Sequence, residues 1–277
     1  MKKSFVRAQQ RREDGRAFRH DLGQHFLRDE ALLGALADSI GLDPGEAVLE
    51  IGPGDGALTR ELCARARAVT AVEADESLLP FLRLLAERAG NLQIIHGDIR
   101  KQNLAALCDG LGGDVVAVGN LPYNITTPIL QLFWEQRPPI RRMAFMVQKE
   151  VAQKLIALPG DPGYCLASLR CRYYCEPRIA LEVPASAFTP PPQVDSAFVL
   201  LPFRSVLPTA NEALLWRLAS AGFGLRRKTL ANALKGVWPA AAPDLPGALQ
   251  SLGLSPTVRG EALALEDWVR LTNLCAN

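Results

Sequence analysis

The stretch Asn120-Leu121-Pro122-Tyr123 is where residue types and spacing in this chain best suit a reaction. It follows the apolar run Val115-Val116-Ala117-Val118, whose pattern predicts a buried strand. At a strand end, the Asn120 side-chain oxygen and a backbone carbonyl of Leu121 or Pro122 can accept the two N–H hydrogens of a planar exocyclic amine. Pro122 fixes its own φ and has no N–H to compete. Tyr123 offers a ring face on which a nucleobase can stack. A plain strand-end turn with Asn and Pro as breakers is the alternative that these four residues alone leave open.

Upstream, Glu50-Ile51-Gly52-Pro53-Gly54-Asp55-Gly56 joins a predicted strand at 47–51 to a predicted helix at 57–66. Glycines in such a turn let the backbone approach a ligand, and the helix start favours a negative group. Glu73 ends the next apolar run at the spacing expected of a carboxylate that holds ribose hydroxyls. Asp98 follows a third run and stands where it can accept from an adenine amino group. The turn lacks the last glycine of G-x-G-x-x-G. By itself it would serve a nicotinamide enzyme equally, and solvated strand-end carboxylates are the plain alternative for Glu73 and Asp98.

The elements that must hold these residues alternate. Strands are predicted at 47–51, 68–73, 92–96, 114–119 and 142–147, with helices at 57–66, 76–88, 101–108, 126–135 and 148–157 between and after them. The alternation predicts a doubly wound, mainly parallel α/β sheet whose ligand crevice lies at the carboxyl ends of the strands. Gly23-Gln24-His25-Phe26-Leu27 leads into a helix at 29–40 capped by Asp29. Residues 166–182 and 196–203 read as two further strands, separated by a proline-stiffened loop through Phe188. Beyond Pro208 the pattern is helical, at 211–221, 226–235, 244–252 and 261–273. The expected organisation is a polar tail at 1–21, a main domain at 22–204 and a small helical domain at 205–277.

The 277 residues carry a net charge of only +2, but the charge is segregated. Residues 29–135 hold 16 acidic and 7 basic groups, whereas 1–28 hold 8 basic and 3 acidic, and 204–236 hold 6 basic and 1 acidic. Basic flanks around an acidic core suit a polyanion partner beside a small-molecule site. The compact cluster Arg226-Arg227-Lys228, inside a predicted helix, is the strongest of them, with a solvated helix face as the alternative. No run of apolar residues reaches the length of a membrane span. The basic N-terminus has no apolar core of a secretory signal, and Glu13 and Asp14 argue against a transit peptide. The six cysteines include no C-x-x-C pair. Free thiols in a reducing cytoplasm are therefore expected, and no metal site.

The ordered set of motifs resembles the S-adenosylmethionine-dependent rRNA adenine dimethyltransferases, most closely their 16S branch. The resemblance runs from about Gly23 to Leu234. It is carried by G-Q-H-F-L at 23–27, E-I-G-P-G-D-G-A-L-T at 50–59, V-E-A-D at 72–75, H-G-D-I at 96–99 and N-L-P-Y-N-I at 120–125. Q-K-E-V-A at 148–152, V-P-A-S-A-F-T-P-P-P-Q-V-D-S at 183–196 and R-R-K-T-L-A-N at 226–232 add to it. It implies a Rossmann-like class I methyltransferase fold with a small C-terminal helical domain, S-adenosyl-L-methionine as cofactor, and no metal. It also implies a monomeric, cytoplasmic chain whose partner is 16S rRNA within the small ribosomal subunit.

By that resemblance Gly52 and Gly54 hold the methionine end of the cofactor, Glu73 the ribose, and Asp98 with Ile99 the adenine. Gln24, His25 and Leu27 close over the cofactor, and Asn120 touches both cofactor and target. His25 stands where the family usually carries Asn. Phe188 resembles the aromatic that packs on the target base opposite Tyr123, with an ordinary loop anchor as the alternative. Arg226, Arg227 and Lys228 would contact rRNA. The implied reaction dimethylates two adjacent adenosines near the 3′ end of the rRNA. The sibling enzymes that dimethylate one adenosine of 23S rRNA and confer macrolide resistance share the cofactor motifs. A DNA adenine methyltransferase, or a non-catalytic RNA-binding relative acting in ribosome assembly, remains a further reading.

Overall fold

A computed structural model describes residues 25–208 and 211–275. The polar tail expected at 1–21, and the expected cofactor contact Gln24, lie outside the described residues. Two compact units form. One takes residues up to 149 together with 179–200, and the other takes 150–178 together with residues from 201 onward. Segment 150–178, read from sequence as part of the main domain, thus packs in the second unit.

The first unit is built on a seven-stranded sheet. Its strands are β2 (Ala47–Ile51), β3 (Ala68–Glu73), β4 (Leu92–His96), β5 (Val115–Asn120), β6 (Ile140–Gln148), β7 (Arg178–Val183) and β9 (Ser196–Pro202), in the order β4-β3-β2-β5-β6-β9-β7. β2 pairs in parallel with β3 on one side and β5 on the other, and β3–β4 and β5–β6 are also parallel. Ala47, Val48, Leu49 and residues 115–118 are buried, as expected of strands covered on both faces. Helix α1 (Glu30–Ile40) precedes the sheet, and α2 (Ala57–Arg65), α3 (Leu79–Ala89), α4 (Leu104–Leu111) and α5 (Thr126–Gln136) fill the crossovers. Local chemistry sets their ends. Asp29 accepts from the Leu32 N–H at 3.1 Å to start α1, Gly41 ends it in the left-handed region, and Asn103 caps α4.

The turn into β2 is locked by a buried ion pair. Arg142 on β6 forks onto Glu46, with Nη1 to Oε1 at 2.7 Å and Nη2 to Oε2 at 2.6 Å, and its Nε donates to the Ile40 carbonyl at 3.1 Å. Burial disfavours the Glu46 charge, but the Arg142 fork and the Asp43 N–H outweigh it and hold the carboxyl below its ordinary range. The pair therefore ties α1, β2 and β6 at the amino ends of the strands.

A two-stranded ribbon, β1 (Phe26–Leu27) with β8 (Phe188–Thr189), pairs antiparallel, with Phe26 opposite Thr189 and Leu27 opposite Phe188. Neither strand is predicted from the sequence, because two residues carry no readable period. The ribbon brings the chain before α1 against the proline-rich loop.

In the second unit, α6 (Lys149–Ile156) contributes all but its first residue, followed by α7 (Leu166–Tyr174) and the helices α8 (Glu212–Gly224), α9 (Leu230–Leu234), α10 (Leu245–Ser251) and α11 (Leu265–Leu274). α7 corrects the strand expected from residue 166. Leu166–Tyr174 contains no β-branched residue, it buries Leu169 and Tyr173 at helical spacing, and Ser168 Oγ accepts the Cys165 N–H at 3.0 Å. Trp268 on α11 is fully buried, and a Cβ on Gly222 of α8 would come within 2.5 Å of its ring. Tyr164 donates to the Leu263 carbonyl at 2.9 Å. The cluster Arg226-Arg227-Lys228 is also corrected: it lies in the exposed turn between α8 and α9, not in a helix. α8 stops at Gly224, and Thr229 starts α9 as its cap, accepting from Asn232 N–H at 3.4 Å.

Arg142→Ala would leave the Glu46 carboxylate buried without its partner. We expect a loss of about 3–5 kcal/mol in unfolding free energy, measured by urea denaturation. A loss below about 1 kcal/mol would show that the pair does not lock the strand ends.

Candidate active site

The chain runs from β2 outward to β3 and β4, then returns to the other side of β2 as β5. The connections after β2 and β5 therefore leave the sheet in opposite directions, and a crevice opens between them. A crevice of about 310 Å³ is lined there by His25, the glycine turn, Glu73, Asp98 and the Asn120–Ile125 loop. Gly119 makes this close approach possible, because a Cβ on it would meet the Ile51 carbonyl oxygen at 2.6 Å.

The glycine turn is held from below. Gly52 and Gly54 have φ of +65° and +62°, a region that side chains avoid. Glu73 Oε2 accepts the Gly54 N–H at 3.1 Å, and its Oε1 accepts the Asp75 N–H at 2.7 Å. One carboxylate thus joins the turn to the end of β3, and each of its oxygens retains accepting capacity. Burial raises the Glu73 pKa, and these N–H groups oppose the shift. Arg28 pairs with Asp55 at 2.8 Å, and the Phe26 ring lies against Gly54.

Glu50 is the charged residue of an otherwise apolar strand, and it is 1% exposed. Its Oε2 has no hydrogen-bond partner. Burial pushes its pKa up to about 8, against the influence of Thr59 and reinforced by the charges of Glu73 and Asp55. Asp98, at the opposite end of the crevice, behaves in the other sense. Arg100 Nε lies 3.0 and 3.1 Å from its two oxygens, Nη2 lies 2.6 Å from Oδ2, and the Arg100 N–H reaches Oδ1 at 3.0 Å. That fork holds the Asp98 carboxyl below its usual range.

At the end of β5, Asn120 Nδ2 donates to the His25 carbonyl at 3.0 Å. A carbonyl can only accept, so the amide orientation is fixed and Oδ1 remains as an acceptor. Pro122 O already accepts from Ile125 N–H at 3.1 Å and Thr126 Oγ1 at 3.3 Å. Of the two backbone carbonyls considered for the amine, Leu121 O is therefore the one without these bonds. Tyr123 is half-buried and its hydroxyl lies 2.6 Å from Ser196 Oγ. Burial raises its pKa, with Ser196 opposing. The His25 ring stacks on Tyr123, with centroids 5.7 Å apart and planes at 22°. His25 Nδ1 is 2.8 Å from the Pro190 carbonyl oxygen.

The residues singled out from the sequence therefore divide. His25, Leu27, Gly52, Gly54, Glu73, Asp98, Ile99, Asn120, Leu121, Pro122 and Tyr123 all line one crevice. Phe188 does not: it is 2% exposed, lies opposite Leu27 in the ribbon and is packed in the apolar core of the unit. In this structure its ring is therefore enclosed in the core rather than lining the crevice. Arg226 pairs with Glu261 at 2.8 Å, while Arg227 and Lys228 are exposed on their turn. Sequence reasoning missed Glu50, Gly119, Arg100 and Ser196. Only Glu50 had a local signal, a carboxylate within an apolar strand. Among the described residues no group of three or more His, Cys, Asp or Glu could hold a metal ion, and no helix is long and apolar enough to cross a membrane.

Residues 15–276 match the family described as ribosomal RNA adenine dimethylase. The chain belongs to that family. It is 41% identical over 257 residues, 91% of this chain and 87% of the other, to a ribosomal RNA small subunit methyltransferase A of Dehalococcoides mccartyi strain CBDB1. It is 39% identical to the protein of that name from Geobacillus thermodenitrificans strain NG80-2, over 94% of this chain and 91% of the other. Among solved structures it is similar to a dimethyladenosine transferase from Plasmodium falciparum, with TM-score 0.77, 25% identity and coverage of 89% and 96% of the two chains. It is also similar to the 23S rRNA methyltransferase ErmE, with TM-score 0.72, 28% identity and coverage of 91% and 100%. The fold is thus the class I methyltransferase fold of this dimethylase family.

The raised Glu50 pKa has a measurable consequence for this family member. The folded protein holds the Glu50 proton more tightly than the unfolded chain, where the carboxyl titrates near its usual 4.5. Between about pH 4.5 and 8 the native state binds the extra proton, so stability contributed at this site falls as pH rises through that window. Glu50→Gln should remove the slope. Without cofactor, its melting temperature should exceed that of wild type at pH 8, by roughly 2–4 °C per kcal/mol gained, and converge with it by pH 5. Parallel melting curves across that range would contradict a buried, proton-holding Glu50.

Proposed function

We propose that this protein transfers methyl groups from S-adenosyl-L-methionine to the exocyclic N6 of two adjacent adenosines near the 3′ end of 16S rRNA in the small ribosomal subunit. The products are dimethyladenosines, and the reaction contributes to small-subunit maturation in the cytoplasm. The observation that carries this reading is the Asn120 amide. Its Nδ2 is tied to the His25 carbonyl, which leaves Oδ1 to accept an N–H beside the face of Tyr123.

The crevice suits the cofactor chemically. Glu73 and Asp98 line it, and a ligand carrying a sulfonium and an ammonium complements their charge. Gly52 and Gly54 let the backbone approach the methionine end, and Glu73 has acceptors left for ribose hydroxyls. Asp98 and Ile99 stand where adenine would lie, with Asp98 shared with Arg100. When bound, the cofactor supplies an already activated methyl group. The chain's own task is then to present the amine. Asn120 Oδ1 and the Leu121 carbonyl each accept one N–H, which favours a pyramidal nitrogen with a localised lone pair aimed along the transfer line. Tyr123 stacks on the extruded base, at about 1–3 kcal/mol per stacked base, and the Ser196 hydroxyl fixes its ring. After one transfer a single N–H remains, so a second round is chemically open.

Incubation with labelled cofactor and unmethylated small or large ribosomal subunits, followed by mapping of the modified base, tests the whole reading. Label confined to large-subunit RNA would overturn it in favour of a 23S-type enzyme. Asn120→Ala should abolish transfer with the fold intact, and Tyr123→Phe should keep most of the rate while Tyr123→Ala loses it. Transfer by Asn120→Ala within a few-fold of wild type would remove Asn120 from the chemistry.

The Arg226-Arg227-Lys228 turn is proposed to contact rRNA phosphates. Neutralising all three should weaken RNA binding and reduce its salt slope by roughly 0.7–0.9 for each phosphate that the turn no longer neutralises, with cofactor affinity unchanged. An unchanged slope in a filter-binding titration would make the turn a solvated surface.

A further inference from the structure

The chain has four tryptophans, and one of them is placed unlike the rest. Trp134 and Trp268 are buried. Trp216 is enclosed by the Tyr173 ring at 5.0 Å and the Arg170 guanidinium at 5.2 Å. Trp238 is half-buried, and among the described residues no ring or cation stacks on it. It faces a recess of about 500 Å³ between α9 and α10 of the second unit. Asn232 and Lys235, at the end of α9, and Pro239, Pro243 and Pro246 complete most of the lining.

We propose that this recess is a second RNA-binding site, which takes one unpaired nucleotide with its base stacked on Trp238 and its phosphate held by Lys235. The inference rests on the reading of the protein as an rRNA methyltransferase. The indole supplies the first support. Trp238 Nε1 donates to the Pro243 carbonyl at 2.9 Å. That bond uses the only donor of the ring, so the surface it presents to the recess is carbon, which suits a base face rather than a hydrogen-bonding ligand. The three prolines stiffen the opposite walls, so little ordering cost attends the entry of a ligand.

Charge supplies the second support. Asn232 and Lys235 are exposed, three residues apart and on one face, and among the described residues neither side chain has a hydrogen-bond or ionic partner. Asp244 also lines the recess and caps α10, accepting from Gly247 N–H at 2.9 Å. A carboxylate in the lining suits an uncharged base inside the recess better than a phosphate, and the Lys235 ammonium suits the phosphate attached to it. The exposed residues Arg227 and Lys228 lead directly into α9. The five residues of that helix rise only about 7.5 Å, so the basic turn lies at one end of α9 and the recess at the other. One strand can reach both, the turn holding its backbone and the recess a base.

The test is binding of the full chain to unmethylated small ribosomal subunits, titrated at several salt concentrations, with thermal melting as the control for folding. Trp238→Ala should weaken binding by about fivefold or more, the loss of one base stack, with the salt slope unchanged because no charge is removed. Trp238→Phe keeps a ring and should bind within about twofold of wild type. Lys235→Gln should reduce the salt slope by roughly 0.7–0.9, for one phosphate contact. Short-wave ultraviolet cross-linking of the wild-type complex should join the peptide that contains Trp238 to RNA. Trp238→Ala binding within twofold of wild type, a Trp238→Phe loss as large as that of Trp238→Ala, or a Trp238 peptide joined to a ribosomal protein would each overturn the assignment. If Trp238→Ala loses its cooperative melt, the Lys235→Gln slope and the cross-link decide in its place, and an unchanged slope with no RNA cross-link overturns the site. Wild-type chain that methylates only large-subunit RNA marks a different failure, that of the small-subunit reading itself.

Discussion

The site depends on a split in the sheet. β2 has β3 on one side and β5 on the other, both parallel to it, so the connections at their carboxyl ends diverge and leave a crevice that no connection has to cross. Glycine at 119 lets the end of β5 come against the Ile51 carbonyl. That approach sets the glycine turn and the Asn120 loop on facing walls of the crevice. A bulkier residue there would separate the walls, and neither motif would compensate by itself.

Charge then distinguishes the two ends of the crevice. Glu50 lies deep, with its Oε2 lacking a hydrogen-bond partner, and burial drives it toward the neutral form. Asp98 lies nearer solvent, and the Arg100 fork keeps it ionised. Glu73 stands between them. Its carboxylate holds two backbone N–H groups in place while it keeps lone pairs for a ligand. A carboxylate used in both ways resists simple truncation, because weaker ligand binding and a looser turn would come together. The basic turn at 226–228 belongs to the other compact unit.

The Asn120 end of the crevice is assembled from three segments far apart in the chain. His25 comes from the stretch before α1, Asn120 and Tyr123 from the end of β5, and Pro190 and Ser196 from the proline-rich loop and the strand after it. The β1–β8 ribbon is what brings the first and third together. Burial of Phe188 and Leu27 in the core stabilises that junction.

Much of this was legible in the residues alone. The alternation of apolar runs with helical segments predicts a doubly wound sheet, because period and length are local properties. The Gly52 turn, Glu73, Asp98 and the Asn120–Tyr123 stretch stand out because each is a polar or glycine signal at a strand end, where the fold puts its ligands. Other features had no such signal. A nine-residue segment, Leu166–Tyr174, alternates enough to pass for a strand, but its lack of β-branched residues, the Ser168 cap and burial at helical spacing make it α7. The turn at 226–228 reads as helix until Gly224 and Thr229 are seen to end one helix and cap the next. The open acceptor on Asn120, the preference for the Leu121 carbonyl, the Ser196 tether and the His25 contact with the Pro190 carbonyl depend on hydrogen bonds mostly between segments distant in sequence. Sequence spacing specifies which residues can reach a strand end. Which lone pairs remain free there is decided only when the chain has closed and each donor has found its partner.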